Sequence, residues 1–144
     1  FIGGVGDLQP DVDAFIAREG FEKVVEIIPP VAHHDALEAM HRADVLLIVQ
    51  PVTTIQIPAK IFEYIATGRP ILALSAEGAT SNLVTQHELG WWADFDSIPQ
   101  IQEQFVNIAK SFSGSDASAW QPSESTIDAF NGKKLVTKLY ELLN

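Results

Sequence analysis

Apolar positions along the chain alternate between two patterns. Val45 to Val49 and Pro70 to Leu74 are unbroken apolar runs, the mark of strands buried on both faces of a parallel sheet. Gly90 to Ala93 reads as a shorter strand. Phe1-Ile2 reads as the end of a further strand entering the Gly3-Gly4 loop, and Lys23 to Ile28 as a β-branched strand stopped by Pro29-Pro30. Between these runs, apolar residues recur at helical spacing. One helix is predicted over Asp11–Arg18, with Val12, Phe15 and Ile16 on one face and Gly20 at its end. A second runs from Asp35 to Arg42 with Ala36, Leu37 and Met40 inward, and Asp35 and Glu38 have capping-box spacing. A third, Ala59–Thr67, is opened by Pro58, closed by Gly68, and buries Ile61, Phe62, Ile65 and Ala66. Thr80–Glu88, Ile98–Phe112 and Asp128–Leu143 complete the set, the last with Leu135, Leu139, Leu142 and Leu143 on its apolar side. Ser111 to Ser125 turns to Ser, Gly, Asp and Pro and reads as a loop, with Trp120 pinning it to the body.

Strands alternating with helices predict an α/β fold: a Rossmann-like parallel sheet with helices on both faces. Residues 1–112 are expected to form this body, 113–125 a loop, and 126–144 a C-terminal helix packing back on the body or on a partner domain. Ligands of such sheets bind beyond the carboxyl ends of the strands. Four segments should reach that edge: Gly3–Asp7, Pro29–His34, Gln50–Pro58 and Ser75–Thr80. Because the chain opens in a strand end without a lead-in, it reads as an excised domain.

Composition narrows the function. The 144 residues carry 9 Lys and Arg against 19 Asp and Glu, a net charge of −10. A sequence-independent nucleic-acid binder needs the opposite balance, and a polybasic membrane anchor does too. There is no cysteine, which removes a disulfide framework, a thiolate metal site and a cysteine nucleophile together and fits a cytoplasmic location. No apolar run reaches the ~18 residues of a membrane span.

The segment from Ala43 to Leu72 carries the chemistry. A buried strand delivers the polar loop Thr53-Thr54-Ile55-Gln56 to the sheet edge, and a helix begins just after it. The first turn of that helix offers free amides and a positive dipole end, a setting for phosphate. Lys60 adds a full charge, and Glu63, three residues on, can accept two vicinal hydroxyls such as those of a ribose. The same two residues also suit an ordinary surface ion pair worth about 0.2–0.5 kcal/mol.

Ala43-Asp44-Val45-Leu46-Leu47-Ile48 followed by Ile57-Pro58-Ala59-Lys60-Ile61-Phe62-Glu63-Tyr64-Ile65-Ala66-Thr67-Gly68-Arg69-Pro70-Ile71-Leu72 resembles the donor-binding domain of the family 4 (group 1) retaining glycosyltransferases. The resemblance extends from Phe1 to about Asp94. It implies one half of a two-domain GT-B enzyme, with a hexosyltransferase-type activity that this half alone would not show. By position, Glu63 matches the second glutamate of the family's E-x7-E motif, which holds the ribose. Thr53, Thr54, Ile55 and Gln56 match the loop whose amides touch the diphosphate and sugar; Val31 and His33 resemble the loop that meets the base, and Gly78 and Ala79 the loop after the next strand. Ile55 stands where the motif has its first glutamate, so the sugar is not fixed by the resemblance. The implied donor is a nucleotide-diphosphate sugar of unspecified base, with Lys60 as the catalytic cation at the leaving diphosphate and no metal or other cofactor. The implied partner is an N-terminal acceptor-binding domain, which would also carry any membrane contact.

Other constellations point elsewhere. Gly4-Val5-Gly6 opens a dinucleotide fingerprint, but Gln9 stands at its third glycine. His34, Glu38 and His41 share a helix face without a metal-binding motif, and no G-x-S-x-G elbow anchors a hydrolase triad. Of Trp91 and Trp92, one is expected in the core and one at the sheet end, and Arg69 is expected at a helix C-terminus rather than on phosphate. Two alternatives share the α/β fold: a sugar-nucleotide epimerase, and a flavodoxin-like module without catalysis.

Overall fold

The computed structural model describes residues 1–113 and 121–143, apart from the side chains of 135, 138, 139, 142 and 143. The expectations for Trp120 and for the leucine face of the last helix lie outside the described residues. The chain divides into two compact units, Phe1–Ala39 and Met40–Asn144.

In the first unit, a single 3-10 turn, Gly6–Leu8, leads into α1, Gln9–Glu19, whose C-terminus is closed by Gly20. Phe15 packs on Phe21 with ring centroids 6.2 Å apart, and the Arg18 guanidinium lies over the Phe15 ring. The two strands expected here are reduced to one parallel bridge between Ile2 and Ile28. Ile28 donates to the Phe1 carbonyl at 2.7 Å and accepts from Gly3 at 3.0 Å. Gly3-Gly4 on one side and Pro29-Pro30 on the other stop the ladder there. Val24 and Val25 both donate to the Phe21 carbonyl, so the β-branched run is spent in a turn. Helix α2, His33–Arg42, opens two residues earlier than expected. The Ala32 carbonyl accepts from Asp35 and Ala36, which puts Asp35 inside the first turn and dissolves the expected capping box.

The second unit holds a three-stranded parallel sheet in the order β1 (Leu46–Gln50), β2 (Ile71–Ser75), β3 (Gly90–Asp94). Its register pairs Ile71 with Leu46 on one side and Gly90 on the other, and Ser75 with Gln50 and Asp94. Central β2 is the continuous apolar strand that two neighbours require. β1 is an edge of this sheet, and its burial alternates: Leu46 and Ile48 are buried and Val49 is exposed. The strand expected to be buried on both faces is therefore half-buried.

Helices α3 (Lys60–Thr67), α4 (Ala79–Gln86) and α5 (Ile98–Phe112) flank the sheet. The core gathers Ile48, Ile61, Ile65, Ile71, Ala73, Leu83, Val84 and Leu89. Trp92 packs against it as expected of one of the two tryptophans, and donates from Nε1 to the Ser75 carbonyl at 3.1 Å. Phe62 and Ala66, expected inside, face outward because the sheet claims only the Ile61–Ile65 stripe of α3. α5 has the predicted bounds, with Ser97 capping its N-terminus. The last predicted helix is two, α6 (Glu124–Ala129) and α7 (Gly132–Leu143). Asn131 breaks them apart by accepting the Lys133 amide on its side-chain oxygen at 3.1 Å. No helix among the described residues is long and apolar enough to cross a membrane.

Candidate functional site

Gln50, Ser75 and Asp94 end the three strands side by side, so the loops that follow share the carboxyl edge of the sheet. Two of the segments expected at this edge, Gln50–Pro58 and Ser75–Thr80, meet there. The Ala79 amide donates to the Thr54 carbonyl at 2.6 Å. Gly78 makes that approach possible. A Cβ built on it would lie 2.2 Å from the Thr54 oxygen, far inside van der Waals contact. The Ser81 hydroxyl accepts the Gly78 amide at 2.8 Å, so the first turn of α4 is held from both sides.

A second tie lies two residues along the same loop. Gln50 Nε2 donates to the Gln56 carbonyl at 3.0 Å, and the Thr80 hydroxyl donates to Gln50 Oε1 at 2.7 Å with the same carbonyl 3.1 Å away. Thr80 is 2% exposed. The loop's outer side chains are not held in this way: Val52 and Ile55 are 91% and 85% exposed. Gln50 and Thr80 were not singled out in the sequence, where an apolar strand ending in Gln is too common to notice.

The loop runs directly into α3. The Pro58 and Ala59 carbonyls accept from Ile61 and Phe62, and Ala59 supplies no side-chain cap. Lys60 is the first residue of this helix and is exposed; Glu63 is half-buried in its first turn. The two are not ion-paired with each other. Glu63 instead lines an open groove of about 630 Å³ between α3 and the α6–α7 corner, together with Phe62, Ala66, Phe130 and Asn131. Beside it, burial and then the Glu63 charge hold the Tyr64 phenol above its ordinary range. Gly68 ends α3 in the left-handed conformation, φ 70°, which Gly alone adopts without cost, and its amide returns to the Ile65 carbonyl. Arg69 donates to the His41 carbonyl at 2.5 Å, in the last turn of α2, a helix-end contact as expected.

Val31 and His33 belong to the first unit, where Val31 is exposed and His33 begins α2. Asp94 was also missed as a contributor to the carboxyl edge. It opens one of two Asp-x-Asp triplets, Asp94-Phe95-Asp96, the other being Asp11-Val12-Asp13 in α1. Asp94 Oδ1 accepts the Asp96 amide at 3.0 Å and so closes a turn. Among the described residues no group of three or more His, Asp or Glu is gathered as metal ligands.

No protein-family model matches the sequence, and no curated protein does. The structure is similar to that of a sucrose-phosphate synthase from Thermosynechococcus elongatus, with a TM-score of 0.72 at 16% identity. The match covers 99% of this chain and 36% of the other, so the chain spans about a third of that protein's length. That protein is a glycosyltransferase of GT-B architecture. The chain therefore has the expected α/β fold, that of a Rossmann-like GT-B half, as found in a glycosyltransferase.

Proposed function

We propose that this domain holds a nucleotide-diphosphate sugar for transfer of its glycosyl group to an acceptor hydroxyl. The observation that carries the reading is the loop Thr53–Gln56. Its backbone is tied at Thr54 and Gln56 on the carboxyl edge of the sheet, and it runs directly into the N-terminus of α3 beside Lys60. The positive dipole end of α3 and the Lys60 cation then stand beside the loop, where a leaving diphosphate gathers charge. Glu63, in the first turn of the same helix and free of Lys60, is then available to two ribose hydroxyls. The likeness to a glycosyltransferase supports the reading at the level of fold. In the transfer, the bond between the sugar's anomeric carbon and the diphosphate oxygen breaks as the acceptor oxygen bonds that carbon; the nucleoside diphosphate leaves with the electron pair, and the acceptor hydroxyl gives up its proton to the departing diphosphate or to water.

An amide-shift titration of the 15N-labelled chain with UDP, GDP, TDP and CMP tests this. A diphosphate should move the resonances of Thr53 to Glu63 selectively. Equal, scattered shifts with all four, or none with any, would reject the reading.

A further inference from the structure

The two ties on the loop do more than anchor it; they set which way its peptide groups face. The Thr54 carbonyl is turned inward to the Ala79 amide, and the Gln56 carbonyl inward to Gln50 and Thr80. Among the described residues every peptide bond is trans, and in a trans peptide the N–H points opposite to the C=O of the same plane. The amides of Ile55 and Ile57, which share planes with those two carbonyls, therefore face outward. Ile55 lies on the open side of the loop. Two outward donors thus lie two residues apart along one short stretch. Turning either plane over would put a carbonyl oxygen where the donor is and remove that selectivity.

We propose that Gln50 and Thr80 are positioning residues that fix the Gln56 peptide plane, and through it steady the neighbouring Thr54 tie, before any ligand arrives, so that the Ile55 and Ile57 amides form a preorganised pair for a diphosphate. The ligand clause rests on the function proposed above; the latch itself does not. Thr80 suits the role because its hydroxyl is buried and donates to Gln50 Oε1, which commits the Gln50 amide group to point its Nε2 at the Gln56 carbonyl. The chain of donors runs in one direction only. A threonine without its hydroxyl leaves Gln50 free to rotate, and the Gln56 peptide loses both partners.

The test compares the unaltered chain with Thr80→Val, which has the same shape without the hydroxyl, and Thr80→Ser, which restores it. In the ligand-free protein, hydrogen exchange at Ala79, whose amide reports the Thr54 tie, should quicken at least tenfold in Thr80→Val. The core amides of Leu89 and Ile71 should keep their rates, and Thr80→Ser should stay near the unaltered chain. Unchanged Ala79 exchange in Thr80→Val, or the same acceleration at Leu89 and Ile71, overturns the latch. Inorganic pyrophosphate is the ligand probe, since it carries no base or ribose. It should shift the Ile55 and Ile57 amides of the unaltered chain and bind Thr80→Val about tenfold more weakly. Equal affinity for both chains overturns the link between latch and anion, even where nucleotides bind. If neither pyrophosphate nor a nucleoside diphosphate binds the unaltered chain, the donor reading and the ligand clause fail together, while the exchange result still decides the latch.

Discussion

Gly78 and Thr54 stand so close that a Cβ on Gly78 would lie 2.2 Å from the Thr54 carbonyl oxygen and 2.8 Å from its Cα. The obstruction is backbone, not the end of a flexible side chain, so the loop or the start of α4 must move to relieve it. Gly78→Ala is expected to cost about 1–3 kcal/mol, the usual range for overpacking. The contrast is Gly132→Ala, where nothing lies within 4 Å of the added carbon. Thermal melts of the two variants should show a lowered Tm for Gly78→Ala and none for Gly132→Ala. Equal Tm values would mean that the loop is not held against α4.

The rotation of α3 gives a second expectation. Ile65 is fully enclosed in the core, whereas Phe62 faces outward against Phe130, with ring centroids 6.3 Å apart. Ile65→Ala should therefore cost more than Phe62→Ala, about 2–5 kcal/mol for the buried isoleucine, although phenylalanine is the larger side chain. Urea unfolding of both variants measures the difference. A larger loss from Phe62→Ala would mean that the helix is turned otherwise.

Tyr64 supplies a spectroscopic expectation. Its phenol is held above the ordinary value of 10.0, first by burial and then by the adjacent Glu63 charge. A raised folded-state pKa means the folded chain keeps the proton more tightly than the unfolded one. The corresponding stability is present in full below the unfolded pKa and is lost as pH rises through the folded one. The chain has 2 tyrosines, so a Tyr140→Phe background isolates Tyr64 in an ultraviolet titration. Its midpoint should exceed the ordinary phenol value and move part of the way back in Glu63→Gln. A midpoint at the ordinary value, untouched by that substitution, would contradict the half-buried placement beside Glu63.

The sequence made the second unit legible because its strands and helices are long enough to carry a period. α5 coincides with its pattern, β2 lies one residue along from its own, and the strand–loop–helix from Leu46 to Gly68 follows the order that its apolar runs dictate. The first unit was harder to read. Lys23 to Ile28 has strand composition, but prolines and glycines leave it one bridge, and Val24 and Val25 fold into a turn on Phe21. Composition reports propensity, while a ladder needs a neighbour that is long enough. The exposure of Phe62 was illegible for a related reason: helical spacing marks an apolar stripe but not how much of it the sheet will cover. At the site, glycine at position 78 was visible and the clash it avoids was not, because Thr54 is distant in sequence. Gln50 and Thr80 were hidden in the same way, as their pairing spans 30 residues.

On the proposed function, Glu63 and the Thr53–Gln56 loop together hold the ribose and diphosphate of a nucleotide. The most direct measurement is the nucleotide affinity of the chain beside that of Glu63→Gln, by the same amide-shift titration. One nucleoside diphosphate should shift Thr53 to Glu63, and the substitution should weaken its binding by about 1–3 kcal/mol, the cost of hydroxyls left poorly matched. Pyrophosphate affinity should be the same for both chains. A nucleotide affinity unchanged by Glu63→Gln would mean that Glu63 does not hold the ribose.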